Sequence, residues 1–252
     1  MPVMATRGEG DDMRPYNTAA MSRAFAITGG LLFVGSLVFS LVSYAWRFNG
    51  GAVPWSAPAA WSAGLMNAAL FSVFALHHSL LARAGAREWV AGRVSPRLER
   101  SVYVWIASLL FLLVCLLWRP VPGTAWHLHG VVAGAFALLQ ALGAVLTVAA
   151  ARRIGPLELA GVAPPRARHA GQSTALDRGP YRIVRHPIYL GWFLMVWCSP
   201  VMNGTRLTFA ALSCVYLLLA IPFEERDLRR TFGADYEAYA RRVAWKILPG
   251  IH

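Results

Sequence analysis

Six apolar stretches, separated by shorter polar segments, set the rhythm of this chain: 25–46, 61–81, 102–118, 130–150, 188–201 and 207–221. A helix needs about 20 apolar residues to cross a hydrocarbon core, and the first four stretches approach that. The last two are shorter and stand apart by only Met202-Asn-Gly-Thr-Arg206, a turn-forming sequence. They predict a tight helical hairpin. Beyond Pro222 the pattern turns amphipathic. Leu228, Phe232, Tyr239 and Val243 fall on one face, interrupted at Gly233, with Asp235 placed to cap a second short helix. The expected fold is therefore an all-α integral membrane protein. It is a six-span helical bundle whose spans 5 and 6 form a short hairpin, with a cytoplasmic C-terminal amphipathic helical segment.

Composition sharpens this. Only 14% of the 252 residues are charged, against roughly 25% in soluble proteins. The net charge of +12 is arginine-dominated and lies between the apolar runs, where it meets anionic lipid head groups rather than nucleic acid. Twenty-one of the 24 basic residues lie in alternate segments, leaving Arg47, Arg119 and Arg206 alone in the others. The positive-inside rule puts both termini and the 152–185 segment in the cytoplasm. Three regions follow: a disordered tail over 1–20 with no signal-peptide pattern, a four-span membrane region over 21–150, and a ligand-binding region over 151–252.

Several chemistries find no support. Cys115, Cys198 and Cys214 sit inside apolar runs without metal-ligand spacing. His77-His78 and His127-x-His129 lack carboxylate or cysteine partners, so no metal site is expected. No Rossmann, P-loop, HExxH or GxSxG signature occurs. Gly130-x-x-x-Gly134 and the glycines of the first span suit close helix packing.

The chemistry gathers at one place. Tyr181, Arg185, His186, Pro187, Tyr189 and Gly191 open the fifth span, and Glu224 and Glu225 close the sixth. A short hairpin brings both sets to one membrane face. Charges at membrane depth are expensive and mark binding sites. Carboxylates pair with an ammonium or take ribose hydroxyls, arginine forks onto a carboxylate, and aromatic faces attract a sulfonium. Pro187 suits a first helical position, Pro180 and Pro187 bracket an extended approach that aims His186, and Gly191 permits close backbone contact. S-adenosyl-L-methionine carries every group this set would recognise. His77 or His78 stands where a base would help a thiol acceptor, but a hydrogen bond to a neighbouring helix is the favoured account of either, and no catalytic base is assigned.

The string Gly179-Pro-Tyr-Arg-Ile-Val-Arg-His-Pro-Ile-Tyr-Leu-Gly191, followed by Glu224-Glu-Arg-Asp-Leu228 and Phe232-Gly-Ala-Asp-Tyr-Glu-Ala-Tyr239, resembles the isoprenylcysteine carboxyl methyltransferase superfamily. Phe74-Ala-Leu-His-His-Ser79 and Glu99-Arg-Ser-Val-Tyr103, ahead of Trp118-Arg-Pro120, are similar to its bacterial methanethiol S-methyltransferase and NnrU-like branch. The resemblance implies a multi-pass protein of a bacterial inner membrane that uses S-adenosyl-L-methionine. It adds Thr174, Ala175 and Leu176 to the cofactor contacts. Leu219, Ala220 and Ile221 stand where the family carries a substrate-side arginine, which favours a small or lipophilic acceptor, such as a thiol, over a prenylcysteine. The alternatives are an isoprenylcysteine-type carboxyl O-methyltransferase or lipid N-methyltransferase, an NADPH-dependent sterol-type reductase using Arg166 and Arg168, and a non-enzymatic NnrU-like assembly factor.

Overall fold

The computed structural model describes residues 14–50, 56–81, 92, 98–163 and 178–250. Five helices are long and apolar enough to cross a membrane: α1 (Arg14–Ala45), α2 (Ala57–Leu81), α3 (Glu99–Leu117), α4 (Gly130–Ile154) and, last of the five in the chain, the helix Gly204–Phe232. Between the fourth and fifth lie a short strand and three short helical pieces: α5 (Pro156–Leu159), a 3-10 turn (Gly179–Arg182) and α6 (Pro187–Trp197). The strands are β1 (Thr124–His127) and β2 (Val201–Asn203); the Gly204–Phe232 helix is α7, and α8 (Ala234–Arg242) follows. Of the six apolar segments, five are helices of spanning length among the described residues. α1 begins at Arg14, so helix reaches into the stretch expected as a disordered tail.

The fifth segment, 188–201, departs from expectation for a local reason. α6 stops at Trp197, because Ser199 precedes Pro200 and a residue before proline avoids the α region. The chain then runs extended into β2 and pairs antiparallel with β1, Trp126 opposite Met202 and His127 opposite Val201. No sheet was expected. Eleven helical residues rise about 16 Å, and the non-helical run from Ser199 to Asn203 supplies most of the rest, at up to ~3.3 Å per residue. Together they match the ~30 Å rise of α7 from Gly204 to Glu224. The two-part strand-and-helix path and the single helix therefore end level with one another.

Polar side chains hold the β1–β2 end. Arg206 is 6% exposed, and its guanidinium donates to the carbonyls of Tyr44 and Ala45 at the C-terminus of α1, and to Val201 O and Ser199 Oγ. Arg47 donates to Cys115 O and Leu116 O at the end of α3. Both cations thus sit on helix C-termini, where orphan carbonyls and the dipole favour them. Buried Asn67 exchanges two bonds with the backbone of Arg119. Phe48, Trp118 and Phe209 fill the space beneath.

α6 leans on α4 at one crossing. A Cβ on Gly191 would collide with Thr147 Oγ1 and come within 2.6 Å of Gly143 O; one on Gly143 would come within 2.6 Å of Gly191 O. The two backbones touch there. By contrast, Gly130 and Gly134 face open space among the described residues, so that motif packs against none of them. At the other end of α7 the helix continues through Pro222 to Phe232. Gly233, at φ +51°, closes it and opens α8; the N-cap is this glycine, and Asp235 lies in the first turn instead. Tyr236, Tyr239 and Val243 then pack back on Leu228 and Phe232.

Two outcomes follow for stability. Arg206→Met leaves the α1 carbonyls without their donor and lowers unfolding free energy by about 2–3 kcal/mol, measured by tryptophan fluorescence during denaturation in detergent. Gly191→Ala forces α4 and α6 apart and costs about 1–3 kcal/mol, read as a lower thermal midpoint than that of the exposed control Gly134→Ala.

Candidate active site

Where the paired ends of α6 and α7 meet, the backbone first fixes the histidine. Arg185 N–H donates to Trp245 O at 2.9 Å and His186 N–H to Lys246 O at 2.8 Å. His186 is the N-cap residue of α6 and Pro187 its first residue, a position where a missing N–H is harmless. Pro180 does not begin an extended approach: it lies in the 3-10 turn, and the C-terminal segment aims His186 instead. Tyr181 is buried, and Tyr239 donates its hydroxyl to Tyr181 O at 2.9 Å.

The two glutamates face different surroundings. Adjacent helical residues point about 100° apart; Glu225 turns inward at 4% exposure and Glu224 stays exposed. Glu225 Oε1 accepts from Arg185 Nε at 2.7 Å and lies 3.4 Å from His186 Nε2, while Oε2 meets Arg229 at 3.4 Å. Arg185 also donates to Val243 O and Ala244 O, at the end of α8. This is a fully engaged frame.

Glu224 forms the open rim. Its Oε2 accepts from Tyr189 Oη at 2.6 Å and lies 3.5 Å from His186 Nδ1. The His186 and Tyr189 rings stack at 5.3 Å and 15°. Burial pushes the imidazole of His186 down, but hydrogen bonds and charge from Glu224 and then Glu225 outweigh it, so its pKa is raised from the ordinary 6.5. The imidazolium is thereby favoured between two carboxylates.

The residues singled out from sequence divide accordingly. Tyr189, His186 and Glu224 come together at the rim. Arg185 and Glu225 lie behind it, Tyr181 is held under α8, and Pro187 starts the helix. Gly191 faces Gly143 and Thr147 on α4. Thr174, Ala175 and Leu176 lie outside the described residues. Arg229 and the carbonyls of Trp245 and Lys246 were not anticipated; backbone acceptors carry no residue-type signal, although Arg229 at i+4 from Glu225 has ion-pair spacing.

A cleft of about 510 Å³ opens near the β1–β2 end between α1, α4, α6 and α7. Its polar groups are already committed: Tyr44 donates to Val196 O, Gln140 to Met195 O, and Arg206 to the carbonyls named above. It offers apolar wall rather than reactive groups.

Comparisons with known proteins identify the family. The phospholipid methyltransferase family model matches residues 131–235. A protein named methanethiol S-methyltransferase 2, from Bradyrhizobium diazoefficiens, is 39% identical over 71% of this chain and 71% of its own length. The methanethiol S-methyltransferase of Crocosphaera subtropica is 36% identical over 71% of this chain and 72% of its own. A probable protein-S-isoprenylcysteine O-methyltransferase of Oryza sativa subsp. indica is 35% identical over 31% of this chain and 42% of its own. No solved structure matches. With five helices long and apolar enough to cross a membrane and similarity to these proteins over most of its length, the chain belongs to the isoprenylcysteine and phospholipid methyltransferase superfamily of membrane methyltransferases, beside the methanethiol S-methyltransferases.

Proposed function

We propose that the rim formed by Glu224, Tyr189 and His186 holds S-adenosyl-L-methionine and that the chain methylates a small or lipophilic thiol. The observation that carries this reading is the exposed Glu224 carboxylate, steadied by Tyr189 at 2.6 Å beside a stacked imidazole–phenol pair. The donor set fits the ligand: a carboxylate for an ammonium or ribose hydroxyls, and ring faces for an adenine or sulfonium. When bound, that ligand supplies an electrophilic methyl group. The chain's own task is alignment and exclusion of water. His186 and Tyr189 fix the Glu224 carboxylate, Arg185 and Glu225 hold the histidine, and the 178–186 approach with α8 covers the end of the bundle. The relatives named for methanethiol support a thiol acceptor, and the apolar Leu219, Ala220 and Ile221 suit an uncharged one.

The same reading takes α6 with β2 as a fifth crossing and α7 as the sixth. It places Glu224, both termini and α8 on the cytoplasmic side of a bacterial inner membrane, as the arginine distribution favours.

Isothermal calorimetry with S-adenosylhomocysteine and NADPH on detergent-purified protein tests the ligand; saturable NADPH binding alone overturns it. Glu224→Gln weakens S-adenosylhomocysteine binding about 10–100-fold, the loss of a charge-assisted contact; unchanged affinity removes Glu224 from the site. Headspace detection of methylated sulfide after feeding methanethiol tests the acceptor.

His186 gives a pH signature. Its folded-state pKa is raised, so its contribution to stability is fully present below about pH 6.5 and is lost as pH rises through the folded-state value. The thermal midpoint of the wild type minus that of His186→Gln is therefore largest in mildly acidic buffer and shrinks above it. A difference that grows with pH contradicts the assigned proton.

A further inference from the structure

A second polar cluster lies beside the rim and has no part in the reading above. His78 stands late in α2, Tyr103 early in α3, and Tyr216 two turns before Glu224 on α7. His78 Nδ1 lies 2.7 Å from Tyr103 Oη. Phe74 stacks on the imidazole at 5.5 Å, and Tyr216 meets it edge-on at 6.2 Å. Ser79 Oγ donates to Tyr216 Oη at 3.3 Å. Among the described residues His78 Nε2 makes no hydrogen bond. Glu224 is near enough to act electrostatically on both His78 and Tyr216, and Tyr103 and Tyr216 act in the same way on Tyr189. The cluster and the rim thus form one polar patch running across four helices.

A histidine within a spanning helix is expensive unless it is paired, binds or reacts. Its surroundings suit sulfur: aromatic walls attract a thiol or thioether at about 5 Å, and a thiol must lose its proton to become a nucleophile. We propose that His78 is the general base for a thiol acceptor bound between α2, α3 and α7, with Tyr103 as its positioning residue. This rests on the reading of the chain as a thiol methyltransferase. With Nδ1–H donating to Tyr103 Oη, the lone pair of Nε2 takes the thiol proton. The thiolate sulfur forms the new S–C bond with the donor's methyl group, and the breaking C–S bond leaves its electron pair on the departing thioether. The imidazolium then returns its proton to water. The titratable groups around His78 are His77 on its own helix, Tyr103 on α3, and Tyr216 and Glu224 on α7; one step further out, Arg100 on α3 acts on Tyr103, and Tyr103 and Tyr216 act on Tyr189 of α6.

The test compares wild type with His78→Asn, using an alkanethiol and 4-nitrobenzenethiolate, which is already ionised at neutral pH. With S-adenosylhomocysteine present, the wild type raises thiolate ultraviolet absorbance when alkanethiol is added, and His78→Asn does not. At neutral pH the variant loses about 100-fold or more in kcat on the alkanethiol, regains it as pH rises towards the thiol's own pKa, and keeps its turnover on the thiolate. S-adenosylhomocysteine affinity stays unchanged by calorimetry. Equal loss on both acceptors, or no loss on the alkanethiol, overturns the assignment. Where His78→Asn fails to fold, Tyr103→Phe carries the test, with a smaller loss confined to the alkanethiol and a displaced pH profile; equal loss on both acceptors again overturns it. A wild type that binds S-adenosylhomocysteine yet methylates neither thiol sinks the acceptor reading itself, which separates that failure from a failure of His78.

Discussion

Glu225 is a carboxylate at 4% exposure near the end of a membrane helix, and such a charge is tolerable only when paired and hydrogen-bonded. Arg185, His186 and Arg229 supply that pairing. Because Arg185 also reaches the carbonyls ending α8, a single buried anion ties α7, the entry to α6 and the C-terminal segment together. The next residue back, Glu224, is then fixed in place with its carboxylate facing outward. Its neighbours Tyr189 and His186 are delivered by the same knot. The geometry of the rim is a consequence of satisfying Glu225.

A second constraint is length. The knot forms only if His186 and Glu224 stand level, and α6 alone is too short to match the run of α7 from Gly204. The extended stretch ending in β2 makes up the difference, at the cost of exposing backbone groups that lipid cannot satisfy. β1, Trp126 and Arg206 answer them. The small sheet at one end of the molecule is thus what permits the site at the other.

The apolar runs were legible because lipid demands them, and the meeting of His186 with Glu224 was legible because a short hairpin leaves little alternative. Other features were hidden for physical reasons. Two adjacent glutamates look alike in sequence, and only their helical phase separates the buried one from the exposed one. The backbone acceptors of Trp245 and Lys246 have no residue signature. Asp235 has good capping chemistry, yet Gly233 adopts a positive φ open to few other residues and takes the position. Pro222 reads as a stop signal, but α7 continues through it because flanking turns and tertiary packing carry the helix. Arg206 counts as one lone cation in a charge tally, while in the structure it closes the end of α1.

Tyr216, Ala220 and Glu224 are spaced by four, so they share one stripe of α7. That stripe passes from the His78 cluster to the rim. Its middle member is small, so no long side chain of the stripe stands between the two polar groups. An arginine at this level would place a guanidinium within reach of Glu224 and compete with Tyr189 for Oε2, while inviting an anionic acceptor. With Leu219, Ala220 and Ile221 there instead, a charged acceptor gains no partner and must be desolvated unaided. A neutral thiol meets no such penalty, because its charge arises only after it has arrived, when a proton leaves for a neighbouring base. The choice of apolar residues before Glu224 and the placement of a histidine on α2 are then two halves of one arrangement. The acceptor enters uncharged and is ionised next to the donor.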